Sequence, residues 1–132
     1  MKPIGAALAA GLFAALHFCS GEAVAAEPLK GIALVIGQSD YVHLQKLPNP
    51  SRDARQIEEL LNRLGLETDM VEDRDARRLR RDFDGFLDDA EGADVALVYY
   101  SGHGIEAGGE NFLLPVDADI DDVDEAGEKF VS

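Results

Sequence analysis

Gly31-Ile32-Ala33-Leu34-Val35-Ile36-Gly37 is an unbroken apolar run between two glycines. A run with no polar alternation predicts a strand buried on both faces, the kind found in parallel sheets. A polar loop, Gln38 to Ser51, follows and is punctuated by Pro48-Asn49-Pro50. Asn49 is placed to cap a helix whose first residue is Pro50. Ala54, Ile57, Leu60, Leu61 and Leu64 then fall on one helical face, and Gly65 suits the position just past the helix end. Leu66 to Val71 reads as a second strand. Asp73 or Asp75 can cap the next helix, in which Ala76, Leu79, Phe83, Phe86, Leu87 and Ala90 recur at helical spacing. Arg74, Arg77, Arg78, Arg80 and Arg81 crowd its first half. A recognition patch is one reading of them. Acidic neighbours one turn away favour the other, a solvated ion-paired face. Gly92 closes this helix, and Asp94 leads into Val95-Ala96-Leu97-Val98-Tyr99-Tyr100, the strongest strand signal in the chain.

Strand, helix, strand, helix, strand predicts an α/β fold: a parallel sheet with helices on its faces. In such sheets the chemistry gathers beyond the carboxyl ends of the strands. That rule directs attention to Gly37–Tyr41 and Ser101–Ile105. No internal repeat and no low-complexity segment interrupts the pattern.

Charge and cysteine content narrow the function. The 132 residues carry 12 Lys+Arg and 26 Asp+Glu, a formal charge of −14. That length suits one domain, and a 46% hydrophobic content is enough for a core. Such acidity excludes a nucleic-acid binder, which needs a basic face, and a protein held electrostatically on anionic lipid. The single cysteine, Cys19, excludes disulfide scaffolds and thiolate metal sites within the chain. Cys19 also lies within an export-type segment. Lys2 precedes an apolar run from Ile4 to Cys19, and Ala23-Val24-Ala25-Ala26 offers small residues for cleavage. The run is shorter than the ~20 residues of a membrane span, and Phe18 is bulky where a lipoprotein signal wants a small residue. Residues 1–26 are therefore expected to be a signal peptide and 27–132 the mature domain. The expected location is periplasmic or extracellular, with no stable membrane span after cleavage.

The last strand ends in Tyr99-Tyr100-Ser101-Gly102-His103-Gly104. Two glycines flanking a histidine at the lip of a strand permit a sharp turn and close approach of a bound chain. An imidazole with an ordinary pKa of ~6.5 can act as acid or base. The Gly104 N–H can face a developing oxyanion. A histidine in a tight turn is the bland alternative, and the residues alone leave both open.

Tyr-Tyr-Ser-Gly-His-Gly after Asp94-Val-Ala-Leu-Val resembles the histidine strand of caspase-like cysteine peptidases, including metacaspases and bacterial relatives. Other pieces agree in order: Ala33-Leu-Val-Ile-Gly37 with Tyr41, Leu47-Pro-Asn-Pro-Ser-Arg-Asp53-Ala54, and Asn111-Phe-Leu-Leu-Pro-Val-Asp117. The likeness runs from about Leu29 to Asp119. It implies a three-layer caspase-like sandwich with a mostly parallel sheet, incomplete on its C-terminal side. It also implies peptide or protein substrates and the chemistry of a Cys/His dyad. His103 matches the catalytic histidine, which assists a cysteine thiolate and protonates the leaving amine. Gly104 matches the backbone donor of the oxyanion hole. Asp53 matches an acidic residue that shapes a pocket for Arg or Lys in metacaspases, or else is structural. Ser101 matches a pocket-lining position.

The family's nucleophile is a cysteine at the end of the next strand, and this sequence holds only Cys19. Ser101 is a poor substitute, being two residues from His103 with no orienting group beside it. The expectation is a cysteine-type endopeptidase whose sequence stops before its nucleophile, inactive as it stands. The third strand is then expected to expose an apolar edge. A non-catalytic peptide-binding or assembly module on the same fold is the alternative. A flavodoxin-like nucleotide binder is a poor third reading, because Gly31 and Gly37 form no GxGxxG loop and no P-loop lysine is present.

Asp117, Asp119, Asp121 and Glu128 occupy carboxylate positions of a calcium-loop pattern. Some metacaspases respond to calcium. Asp122, however, stands where that loop wants glycine, and no helix pair frames it. The expectation is no cofactor, with calcium at these four residues as the one candidate against a solvated acidic loop.

Overall fold

The computed structural model describes residues 30–119, 121 and 126–132. The expected signal segment 1–26 with Cys19, residues 120 and 122–125 of the acidic stretch, and the Glu128 side chain lie outside the described residues.

β1 (Gly31–Gly37) is buried at every position, as its unbroken apolar run requires. It lies at the centre of a three-stranded parallel sheet, between β2 (Glu67–Glu72) and β3 (Val95–Ser101). Because side chains alternate across a strand, β1 sends one set to each face. Ala33 and Val35 meet Ala54 and Leu61 of α1 (Pro50–Arg63). Leu34 and Ile36 meet Val71 and Leu79, the latter from α2 (Ala76–Asp89). Helix, sheet and helix make the three layers of a caspase-like sandwich.

The helix boundaries follow local chemistry, with some corrections to the sequence reading. Pro50 does open α1, but the Asn49 side chain makes no capping bond. Its backbone is already helical (φ −110°, ψ −29°), whereas a capping residue must be extended to bring its oxygen under the next N–H groups. Asp75 is extended, and it caps α2 by accepting from the Arg78 N–H at 2.8 Å. Gly65 and Gly92 adopt the left-handed conformation expected past the helix ends. Leu87 is 62% exposed instead of joining the apolar stripe. The stripe through Leu79, Phe83 and Phe86 faces the sheet, and Leu87 stands at its margin, about 80° round the helix from Leu79. The arginine cluster includes ion-paired members: Arg74, just before α2, lies 2.6 Å from Asp82, and Arg78 within it lies 3.4 Å from Asp75.

β3 lies at an outer edge of the sheet among the described strands, with Val95 and Val98 41% and 44% exposed. Beyond it the sequence reading missed an antiparallel hairpin, β4 (Gly104–Ala107) and β5 (Glu110–Leu113). Its turn, Gly108-Gly109, has φ of 63° and 87°. Two glycines between short strands are a recognised hairpin signal. Phe112 and Leu114, with Tyr41, Ala118, Ala126 and Phe130, form a second core beside the sheet. Ala126 belongs to a single helical turn, α3 (Ala126–Lys129). No helix among the described residues is long and apolar enough to cross a membrane.

Two glycine substitutions test the layering with opposite signs. A Cβ on Gly37 would lie 2.9 Å from the Pro50 carbonyl oxygen and 3.0 Å from the Ala54 Cβ, whereas a Cβ on Gly85 in α2 meets nothing within 4 Å. Gly37→Ala is expected to destabilise by about 1–3 kcal/mol, because it forces α1 off β1. Gly85→Ala is expected to stabilise by about 0.5–1 kcal/mol through helix propensity. Urea midpoints of the two variants check both signs.

Candidate active site

His103 stands where β3 ends and the hairpin begins, and its main chain is fully engaged. Its N–H donates to the Tyr41 hydroxyl at 2.8 Å. Its carbonyl accepts from the Tyr100 hydroxyl at 2.7 Å and from the Leu114 N–H at 3.0 Å. The Tyr41 ring lies against the imidazole, with centroids 4.6 Å apart at 59°.

The flanking glycine is required by space, which corrects the sharp-turn expectation. Gly102 is not among the residues with left-handed φ. A Cβ there would fall 2.6 Å from the Tyr100 hydroxyl and 2.7 Å from that of Tyr41. Only hydrogen fits under the two phenols.

The ring itself is half-buried, and its Nε2 lies 2.8 Å from the Gln45 carbonyl oxygen. A carbonyl can only accept, so Nε2 carries the proton and donates it. In the neutral ring Nδ1 then holds the free lone pair and is the basic atom. Protonation at Nδ1 leaves the Nε2 bond in place, so the carbonyl orients the ring in either charge state.

Gly104 pairs with Leu113 across the hairpin. The Leu113 N–H donates outward, to the Val131 carbonyl at 2.8 Å. The Gly104–Leu113 pair is therefore a non-hydrogen-bonded one, and the Gly104 N–H also points away from β5. His103 and Gly104 line one cavity of about 210 Å³, walled by Leu44, Ile105, Leu114 and Phe130, with Asp119 also in its lining.

Asp53 and Ser101 lie elsewhere on the same rim. Ser101 ends β3 opposite Gly37, and its carbonyl accepts from the Gln38 N–H at 2.8 Å. Asp53 occupies the first turn of α1, which packs directly on Gly37, and its carboxylate is 3.6 Å from Arg52. Neither lines the cavity beside His103. Of the calcium candidates, the Asp117 carboxylate accepts from the Ala76 N–H at 2.9 Å, and Asp119 lies 3.9 Å from His43. Among the described residues no three His, Cys, Asp or Glu side chains converge on a metal-sized site.

A polar lacing under the rim escaped the sequence reading. Gln38 is wholly buried; its amide donates to the Arg74 carbonyl at 2.8 Å and accepts from the Arg74 N–H at 2.7 Å. Asp73, left-handed at φ 47°, accepts from the Ser39 and Asp40 N–H groups at 2.8 and 2.9 Å. It is a brace between loops and not a helix cap. The Val116 N–H donates to the Arg74 carbonyl at 3.0 Å, tying in the segment after the hairpin. A polar glutamine directly after the apolar run was the available signal. The Gln45 carbonyl had none, since every residue carries one.

The model of the caspase domain, peptidase family C14, matches residues 30–128. The chain belongs to that family. It is 34% identical over 87 residues to the human (Homo sapiens) mucosa-associated lymphoid tissue lymphoma translocation protein 1. That alignment covers 66% of this chain and 11% of the human protein. The mouse (Mus musculus) homolog is 33% identical over 87 residues, with 66% and 10% covered. The chain spans about a tenth of the length of these relatives.

Burial raises the pKa of both Tyr41 and Tyr100 above the ordinary 10.0. Unfolded phenols lose their protons near 10.0 while the folded ones keep theirs, so the folded state binds more protons in that range. Stability is thus expected to be fully present below pH 10 and to fall as pH rises beyond it. Phenolate absorbance during alkaline titration checks this. At least two of the three tyrosines should ionise only together with unfolding.

Proposed function

We propose that this caspase domain performs cysteine-type peptide hydrolysis, with His103 as general base and acid and Gly104 as oxyanion donor. The observation that carries the proposal is the bond from Nε2 to the Gln45 carbonyl, which leaves Nδ1 as the base. Nδ1 takes the proton of a thiol, and the thiolate attacks the peptide carbonyl carbon. Negative charge gathers on the carbonyl oxygen, where the Gly104 N–H stabilises it. The C–N bond then breaks as Nδ1 returns its proton to the leaving amine. Water, deprotonated by the same nitrogen, hydrolyses the thioester and frees the thiol.

The thiol is assigned to a strand added at the outer edge of β3, which no other described strand covers. A strand laid parallel to β3 there would end beside Ser101. Asp53 and Ser101, on the rim around Gly37, are the candidate contacts for a substrate side chain. The carboxylate of Asp53 favours a basic one. Export by residues 1–26 would place this chemistry outside the cytoplasm. Because Cys19 is the sole cysteine of the sequence, a second reading keeps the fold as a non-catalytic peptide-binding module.

The product of the natural coding region, assayed on fluorogenic Arg-, Lys- and Asp-peptides, decides between them. Hydrolysis that falls by about 100-fold or more in His103→Ala supports the proposal. Turnover that survives that substitution removes His103 from the mechanism. Saturable peptide binding without cleavage favours the binding module.

A further inference from the structure

We infer that Tyr41 and Tyr100 are positioning residues for His103, acting together as a two-phenol clamp on its peptide backbone. As a statement about catalysis this rests on the peptidase reading; as a statement about where the imidazole is held it stands on geometry alone.

Each phenol carries one proton. The Tyr100 hydroxyl lies 2.7 Å from the His103 carbonyl and 2.9 Å from the Leu114 carbonyl, and the shorter contact assigns its proton to His103. Tyr41 accepts the His103 N–H at 2.8 Å and shares its own proton between the Tyr100 hydroxyl and the Leu114 carbonyl, each 3.2 Å away. With the Tyr41 proton directed at Tyr100, the bonds form a closed circuit. It leaves the His103 N–H, passes through the Tyr41 and Tyr100 hydroxyls, and returns to the carbonyl of the same residue. Each bond in such a chain polarises the next, and burial lowers the dielectric around it.

The circuit joins parts of the chain that are remote in sequence. Tyr41 comes from the loop after β1 and Tyr100 from the penultimate position of β3. The carbonyl that orients the ring, that of Gln45, belongs to the same loop as Tyr41. Two fixed points therefore define the imidazole. The clamp sets the backbone from which it springs, and the Gln45 carbonyl sets the far nitrogen. Tyr41 serves both, because its hydroxyl holds the His103 N–H while its ring lies against the imidazole. Gly102 is the independent sign that the clamp closes tightly. A Cβ there would meet both hydroxyl oxygens at under 3 Å.

Tyr41→Phe and Tyr100→Phe keep the rings and delete one hydroxyl each. The test follows backbone amide exchange and imidazole ¹⁵N shifts of His103 in the full chain. In Tyr41→Phe the His103 N–H loses its acceptor, and its exchange protection should fall about tenfold, the factor one buried hydrogen bond commands. In both variants the Nε2–H tautomer should give way to a mixture of the two tautomers, while protection of Leu34 and Ile36 in β1 stays at the wild-type level. An unchanged tautomer in both variants overturns the inference. So does protection lost equally at His103 and in β1, since that marks general destabilisation. Because neither readout requires turnover, the clamp stands or falls on these spectra alone, and the peptidase reading stands or falls on the peptide assay.

Discussion

β1 has no polar side chain with which to meet water, so both of its faces must be covered. α1 covers one through Ala54 and Leu61, and α2 approaches the other through Leu79. With helices on both faces and strands on both edges, the carboxyl end of β1 is where loops can gather. The loop carrying Tyr41 and Gln45, the start of α1 and the end of β3 all meet there. The site is thus a consequence of how the central strand is buried. The polar lacing of Gln38, Asp73 and Arg74 converts that gathering into a defined arrangement.

The relation between fold and chemistry is tight at Gly37 and Gly102. Both glycines are needed because something else is too close: the first turn of α1 in one case, two phenols in the other. At Gly37 the close approach fixes where α1 starts, and with it the place of Asp53. At Gly102 it fixes how the chain leaves β3, and with it the place of His103. Hydrogen bonds of about 1 kcal/mol each contribute modestly to net stability. Their larger effect here is to select one geometry from several that the hydrophobic core alone would tolerate.

Much of the sandwich was legible in the sequence, because burial on two faces and burial on one leave different hydrophobic periods. β1, α1, α2 and β3 were placed closely, and β2 was shifted by one residue, since its half-exposed pattern specifies ends weakly. Leu87 was misassigned because a wheel places it at the margin of the stripe, about 80° round from Leu79, where helical spacing alone does not say whether a side chain is covered. The β4–β5 hairpin was overlooked although Gly108-Gly109 announced it. His103 and Gly104 were identifiable from their motif. Their supports were not: a backbone carbonyl leaves no mark in a sequence, and Tyr100 reads simply as a good strand residue. The convergence of Tyr41, Tyr100 and Gln45 on one histidine is a property of the three-dimensional arrangement.

The account rests on which ring nitrogen of His103 is free to accept a proton. A two-bond ¹H–¹⁵N correlation spectrum of the neutral wild-type imidazole reports this directly. The account predicts a single neutral tautomer, protonated at Nε2 and bare at Nδ1. A ring protonated at Nδ1, or one averaging freely between the two forms, contradicts it.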